Sequence, residues 1–408
     1  MNDGSAGPKN RLFTRREDPM PNPRCAFCDV EITLANDSRE HIIQNAIGGI
    51  RKVRGVFCKT CNNTTGAKWD AEAARQLQFL TLHLGVVRDR GNGCAGEFVT
   101  LSGRPVRKHQ DGHLSFPASK PSVIPKGEGV QIQLQATTRA EAAKTLNGLK
   151  RTYPKLDVDA ALASIDESDT YLSEPIKSEC RFGGGLSGRS IVKTALTLAV
   201  STGAEAKICN LALPYLRDNN GNPAFGYYYR RDLVTNRPTD RVFHCVAIKG
   251  DPSTGKLIGY VELFSVYRMV IGLSDQYTSS PMAAGYAIDP TVGEELNLTV
   301  DLTFTDEELR FALGNEDELL PRQLEAFDTV MGIAQRLSFE REQRRVAGKA
   351  YREALGTLGL TPGQEMTQEI ALALSKEISR NMMPFLLHRA ASQRCINPFP
   401  THDKLGNA

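Results

Sequence analysis

The chain has a single tryptophan in 408 residues, only seven histidines, 7% aromatic residues and a formal net charge of +3. It has no apolar run near the roughly 18 residues a membrane helix needs, and its start, "MNDGSAGPKNRLFTRREDPMPNPR", has no apolar core of a secretion signal. These absences argue against a membrane partner and predict a cytoplasmic location. The small net charge by itself predicts no acidic partner. Patterned cysteine is scarce too: of nine, Cys94, Cys180, Cys209, Cys245 and Cys395 are scattered. In a reducing compartment they read as buried thiols rather than as a disulfide framework. There is no internal repeat and no low-complexity segment.

With 40% hydrophobic residues, the chain can bury a large core and should hold two or three domains. Residues 1–24, rich in Pro, Asn, Gly and charge, predict a mobile basic arm. Residues 25–90 form a cysteine module whose end is helical, with Trp69, Ala73, Leu77, Leu80 and Leu84 at helical spacing and a stop at Gly85. Residues 91–180 are a mixed middle region, with a strand in "GVQIQLQATT" and a helix in "RAEAAKTLNGLK". Residues 181–303 read as an α+β domain: "SGRSIVKTALTLAVSTGA" is a helix, and "RVFHCVAIKGDPSTGKLIGYVELFSVYRMVIGL" is a set of antiparallel strands joined by a polar turn. Residues 304–408 are helical at 3.6-residue period. The predicted class is α+β.

The remaining cysteines form two pairs, "CAFC" and "CKTC", and Cys25, Cys28, Cys58 and Cys61 would saturate one tetrahedral zinc ion. The stretch between them includes "REHIIQNAIGG", so Glu40 and His41 are left for another task. A β-hairpin fits here: "VEITL" as an early extended piece, "EHIIQNAI" ending at Gly48-Gly49, and "KVRGVF" running back. Charge is concentrated around this module: residues 9–68 carry eleven Lys/Arg against six Asp/Glu. Such a local surplus is the footprint of a phosphate-backbone reader, with Arg51, Lys52, Arg54 and Lys59 as candidate nucleic-acid contacts.

The order Cys-x-x-Cys, acid-His, Gly-Gly, Cys-x-x-Cys-Asn and then a helix resembles the zinc-knuckle branch of the HNH endonuclease superfamily, whose ββα-metal fold cuts phosphodiesters. The resemblance covers about residues 25–75. It implies that Glu40 is a ligand of a catalytic divalent metal, His41 the general base, and Asn62 the second metal ligand. Two positions depart from the commonest pattern: Glu stands for Asp, and "RKVRGVF" lacks the middle Asn, whose orienting role would fall to Asn45. Oxygen donors favour Mg²⁺ or Mn²⁺ over zinc at this second site. Asp70, which follows Asn62 and Gly66 at four-residue steps, would orient a ligand or contact metal-bound water. The implied partner is nucleic acid, DNA before RNA, in a setting such as a bacterial defence or restriction effector whose C-terminal part positions DNA, regulates the nuclease or mediates homo-oligomerisation. The alternative is a non-catalytic zinc knuckle that binds nucleic acid, or an interaction scaffold.

Two further features read as structural. "GGGLSGRS" approaches a phosphate-binding loop but lacks its lysine and a preceding buried strand, so Ser187 or Ser190 is expected to cap the following helix. Arg341, Arg345, Lys349 and Arg352 share one face of a late helix and read as a solvated surface.

Overall fold

The computed structural model describes residues 23–90, 95–117, 120–127, 129–136, 138–166, 171–178, 181–218, 221–314, 320–361 and 363–395. The predicted basic arm, up to residue 22, lies outside them, as do Cys94 and Cys180.

In the cysteine module, β1 (Glu40–His41) pairs antiparallel with β2 (Lys52–Val53), placing His41 opposite Lys52. The expected longer hairpin is not formed. Ile42, Ile43 and Ile47 are all buried, and a pleated strand would turn one of two adjacent isoleucines away from the core. The chain curls instead through a 3₁₀ turn at Asn45–Ile47. Gly49 permits this, because a Cβ there would lie 1.7 Å from the Ile43 carbonyl oxygen. The expected helix follows as α1 (Lys59–Thr65), a π turn (Gly66–Asp70), α2 (Ala71–Gln76) and α3 (Gln78–Leu84). It stops at Gly85, whose φ of +71° suits a left-handed cap.

The middle region contains β3 (Ala95–Thr100), β4 (Pro105–His109), β5 (Leu114–Ser115), the hairpin β6 (Ser122–Lys126) and β7 (Gly129–Gln133), then α4 (Arg139–Leu149), α5 (Val158–Ala163) and β8 (Ile176–Lys177). Strands β5-β4-β3-β8 form one antiparallel sheet. Thr138 caps α4 by accepting the Glu141 N–H, a local signal already present in "TRAE".

Helix α6 (Gly185–Ser201) and α7 (Ala212–Arg217) precede a six-stranded antiparallel sheet of β9 (Phe225–Tyr227), β10 (His244–Asp251), β11 (Lys256–Leu263), β12 (Tyr267–Ser274), β13 (Met282–Asp289) and β14 (Glu294–Leu296), in the order β14-β13-β10-β11-β12-β9. Both faces are covered. Val246, Ile248, Val261 and Ile271 face the cluster that includes α6, while Cys245, Ala247, Tyr260 and Val270 face Leu302 and Phe311, the latter on α8 (Asp306–Leu313). Such strands read as nearly unbroken apolar runs, as "LIGYVELF" does. The last described elements are an antiparallel pair, α9 (Leu320–Thr357) and α10 (Gln368–Cys395), and among the described residues no helix is long and apolar enough to cross a membrane.

One buried core runs from the cysteine module through α6 into the sheet. Two polar pins reinforce it. Arg341 of α9 donates to the Leu84 carbonyl at 2.7 Å and to that of His83, satisfying the C-terminal end of α3; it is therefore a packing residue, not part of a solvated face. His244, fully buried on β10, donates through Nε2 to the Ile47 carbonyl at 2.8 Å and accepts the Phe264 N–H at Nδ1 at 3.0 Å. Burial lowers its pKa from 6.5 to about 4. Because the folded value lies below the unfolded one, the stability that neutral His244 contributes is complete above about pH 6.5 and is lost as the pH falls toward about 4. The melting temperature should drop across that window. His244→Asn should cost about 1–3 kcal/mol at neutral pH and show a shallower acid loss; an unchanged pH slope would reject His244 as the titrating group.

Candidate active site and zinc site

The four module cysteines converge as a candidate zinc site, all Sγ atoms lying within 4.8 Å of one another. Cys28 Sγ and Cys58 Sγ are 3.7 Å apart, close to the edge of a tetrahedron built on bonds of about 2.3 Å. Local folding prepares the thiolates. Asp29 takes a positive φ of 57°, closing the first knuckle, and the Cys58 N–H points at Cys25 Sγ at 3.4 Å. Burial pushes the Cys25 thiol up, but the N–H groups of Cys28, Cys58 and Phe27 outweigh it and bring the thiol below its ordinary value. Cys28 and Cys61 are raised, burial being the largest cause. Four thiolates packed this closely repel one another, so holding all four ionised requires a cation among them. The set fits zinc.

Glu40 and His41 are adjacent on β1 and point to opposite sides. Glu40 turns inward, 9% exposed. Its Oε1 receives the Lys193 ammonium at 2.8 Å, and the Asn62 side chain favours the ionised form of the same carboxylate. The same ammonium lies 2.7 Å from Asp70 Oδ2, and the Ser190 hydroxyl donates to Asp70 Oδ1 at 2.5 Å. Gln44 Nε2 donates to Ser190 and, at 3.4 Å, to Asp70. Burial raises the Glu40 pKa and Asp70 adds to the rise, while Lys193 and Asn62 act against it.

Helical phase explains why Asn62 and Asp70 meet here. Eight residues of regular helix, at about 100° each, would leave Asp70 about 80° out of line with Asn62. The π turn Gly66–Asp70 absorbs one residue, so the effective separation is seven and the two side chains share a face to about 20°. The four-residue steps through Gly66 expected from the sequence are thus replaced by a wider turn.

His41 lies on the other side. Its Nε2 is 3.3 Å from Asp89 Oδ2, and Lys52 pairs with the same carboxylate. Burial, with Lys52 and Arg90, holds the imidazole below its ordinary pKa despite Asp89. Asn45 does not reach His41. It holds the backbone of Arg90 through two hydrogen bonds, at 3.1 and 3.2 Å, and so fixes the segment that carries Asp89.

The structure thus brings Glu40, Asn62 and Asp70 together, with His41 on the opposite side of the same strand. The four basic candidates are spread out and individually engaged: Arg51 with Glu295 and the Tyr286 ring, Lys52 with Asp89, Arg54 with Asp37, Lys59 with the Ala35 carbonyl. Sequence reasoning missed Lys193, Ser190, Gln44 and Asp89. Ser190 does not cap α6, whose N-cap is Gly184, and Ser187 bonds back to the Gly183 carbonyl. A signal for Lys193 existed: it is the lone charge within "SIVKTALTLAV", and a helix apolar on all sides is buried.

Residues 25–78 match the family described as HNH endonuclease. The match takes in both knuckles, Glu40, His41, Asn62 and Asp70, and supports a nuclease-type function; Asp89, Ser190 and Lys193 lie beyond it. Neither curated proteins nor solved structures show a match to this chain.

Replacing Cys58 with Ser should abolish zinc retention and expose the module to protease. Metal analysis of the purified variant checks this, and full zinc content would contradict the four-thiol site.

Proposed function

We propose that the N-terminal module is a metal-dependent endonuclease that hydrolyses phosphodiester bonds of nucleic acid, DNA in the first place. The observation that carries this reading is the convergence of Glu40, Asn62 and Asp70 in one pocket, next in sequence to a histidine whose ring is held by a carboxylate. A binding knuckle or scaffold has no need of the acid–histidine pair Glu40–His41 with its ring held by a carboxylate, so the catalytic reading is preferred.

The donors fit a hard divalent cation such as Mg²⁺ or Mn²⁺. All are oxygens: two carboxylates, the Asn62 amide, and Gln44 Oε1, which is buried and has no hydrogen-bond partner. Two carboxylates against one ammonium leave the pocket with a net charge of −1 (−2 + 1), which attracts such an ion. Glu40 and Asn62 would hold it. Bound there, it would offset charge on the scissile phosphate and the leaving oxygen. Asp70, anchored by Ser190 and Lys193, orients the pocket. His41 lies across β1 from Glu40, so it acts as the base if the scissile phosphate spans the strand; Nδ1, the nitrogen that Asp89 does not engage, would then accept the proton of the attacking water, and Asp89 would stabilise the imidazolium. Arg51, Lys52, Arg54 and Lys59 would meet phosphates by sharing their present partners.

His41→Ala should keep zinc content and melting temperature near wild type while cleavage falls about 10²- to 10⁴-fold. Glu40→Ala should also keep zinc but raise the Mg²⁺ or Mn²⁺ concentration needed for residual cleavage. A His41 variant that cuts at the wild-type rate would remove the proposed base.

Binding offers a separate check. The logarithm of DNA affinity should fall linearly with the logarithm of salt, and Arg51→Ala, Lys52→Ala and Arg54→Ala together should flatten that slope by up to about 3. An unchanged slope would reject this surface.

A further inference from the structure

We infer that the nuclease centre is completed from outside the matched segment: Lys193, on α6, is a positioning residue that holds Glu40 and Asp70 apart and in place, so that the divalent cation sits on the Glu40–Asn62 side rather than between the two carboxylates. The inference rests on the nuclease reading and deepens it.

Three observations support it. The ammonium bridges the two carboxylates, 2.8 Å from Glu40 and 2.7 Å from Asp70, and so occupies the position that a bridging metal ion would take. It lies behind them, away from solvent: Lys193 is 2% exposed, whereas the Glu40 and Asp70 side chains are 11% and 20% exposed. It therefore acts through Glu40 and Asp70 and not on substrate. The third observation is that the surroundings are built to hold it. The Phe57 ring lies 5.6 Å from the ammonium, and Ser190, one turn earlier on α6, takes the other oxygen of Asp70, so that two residues of one helix face clamp a single carboxylate. Replacing all three charged groups by apolar ones of like volume need not cost stability, so the retention of the charged set points to a role beyond stability.

Removing the ammonium has a consequence that a structural role would not produce. In Lys193→Met the two carboxylates are left facing each other without a counter-charge, and a divalent ion can take the vacated bridging position in place of any proton they share. Manganese should then bind about tenfold more tightly or better, yet in the wrong place, so turnover should fall about 10²-fold. Asp70→Asn changes the charge in the other direction, keeps the Ser190 contact and should weaken manganese binding by a similar factor. The double variant should return binding to within a few-fold of wild type while turnover stays low.

The test is titration of the zinc-loaded full chain with Mn²⁺, followed by electron paramagnetic resonance, for wild type and the three variants, with cleavage rates measured in parallel. Tighter binding with slower turnover in Lys193→Met supports the inference. Unchanged manganese affinity in that variant, or turnover within threefold of wild type, overturns it. Should Lys193→Met fail to fold, Lys193→Gln, which keeps a donor toward the carboxylates but drops the charge, is titrated in its place: tighter manganese binding with slower turnover supports the inference and unchanged binding rejects it. If wild type binds manganese but cuts no nucleic acid, the nuclease reading fails, and the affinities still judge the placement of the cation.

Discussion

A lysine ammonium cut off from water must find negative charge, and in this chain that requirement fixes how its parts fit together. Lys193 sits on a helix that packs against the six-stranded sheet and α7 on its other sides, so its charge is neutralised toward the cysteine module. Glu40 comes from β1 and Asp70 from the π turn, both within the zinc module. The triad therefore sets the module's position on the sheet at the same moment as it sets the pocket. Taking away one member of such a buried set costs about 3–5 kcal/mol, because the others are left without compensation. His244 works in the same direction with neutral groups, tying β10 to the Ile47 carbonyl of the module's loop.

Zinc and the triad divide the work. The four thiols hold two stretches of backbone that carry little regular structure, since β1 and β2 contribute only two residues each. Cys58 and Cys61 straddle the start of the helix, so an ion held by the four thiols would also fix where Asn62 begins its turn. From there the π turn supplies the phase that brings Asp70 round. Asn62 follows Cys61 directly, so the thiols and the oxygen donors adjoin at the start of one helix.

Much of this could be read in the sequence, because the readable part depends on local spacing. The knuckles, the helix ending at Gly85, the cap at Thr138 and the buried strands of the sheet all follow from periods of two, three or four residues. Glu40, His41 and Asn62 were singled out by their positions relative to the cysteines. The hairpin was drawn too long because adjacent buried isoleucines need a core on two sides, which no local pattern reveals. Asp70 was singled out by helical spacing, but the π turn that brings it to Asn62 breaks that spacing. Lys193 and Ser190 were missed as pocket residues because they lie more than a hundred residues away from Asp70, and Asp89 because it works through a fold that Asn45 holds.

The most direct test of the account is incubation of the zinc-loaded full chain with supercoiled plasmid, single-stranded DNA and RNA, each with and without added Mg²⁺ or Mn²⁺. The account predicts internal strand breaks in DNA that appear only when the divalent ion is supplied. Intact substrates under every condition, or equal cleavage without the ion, would contradict it.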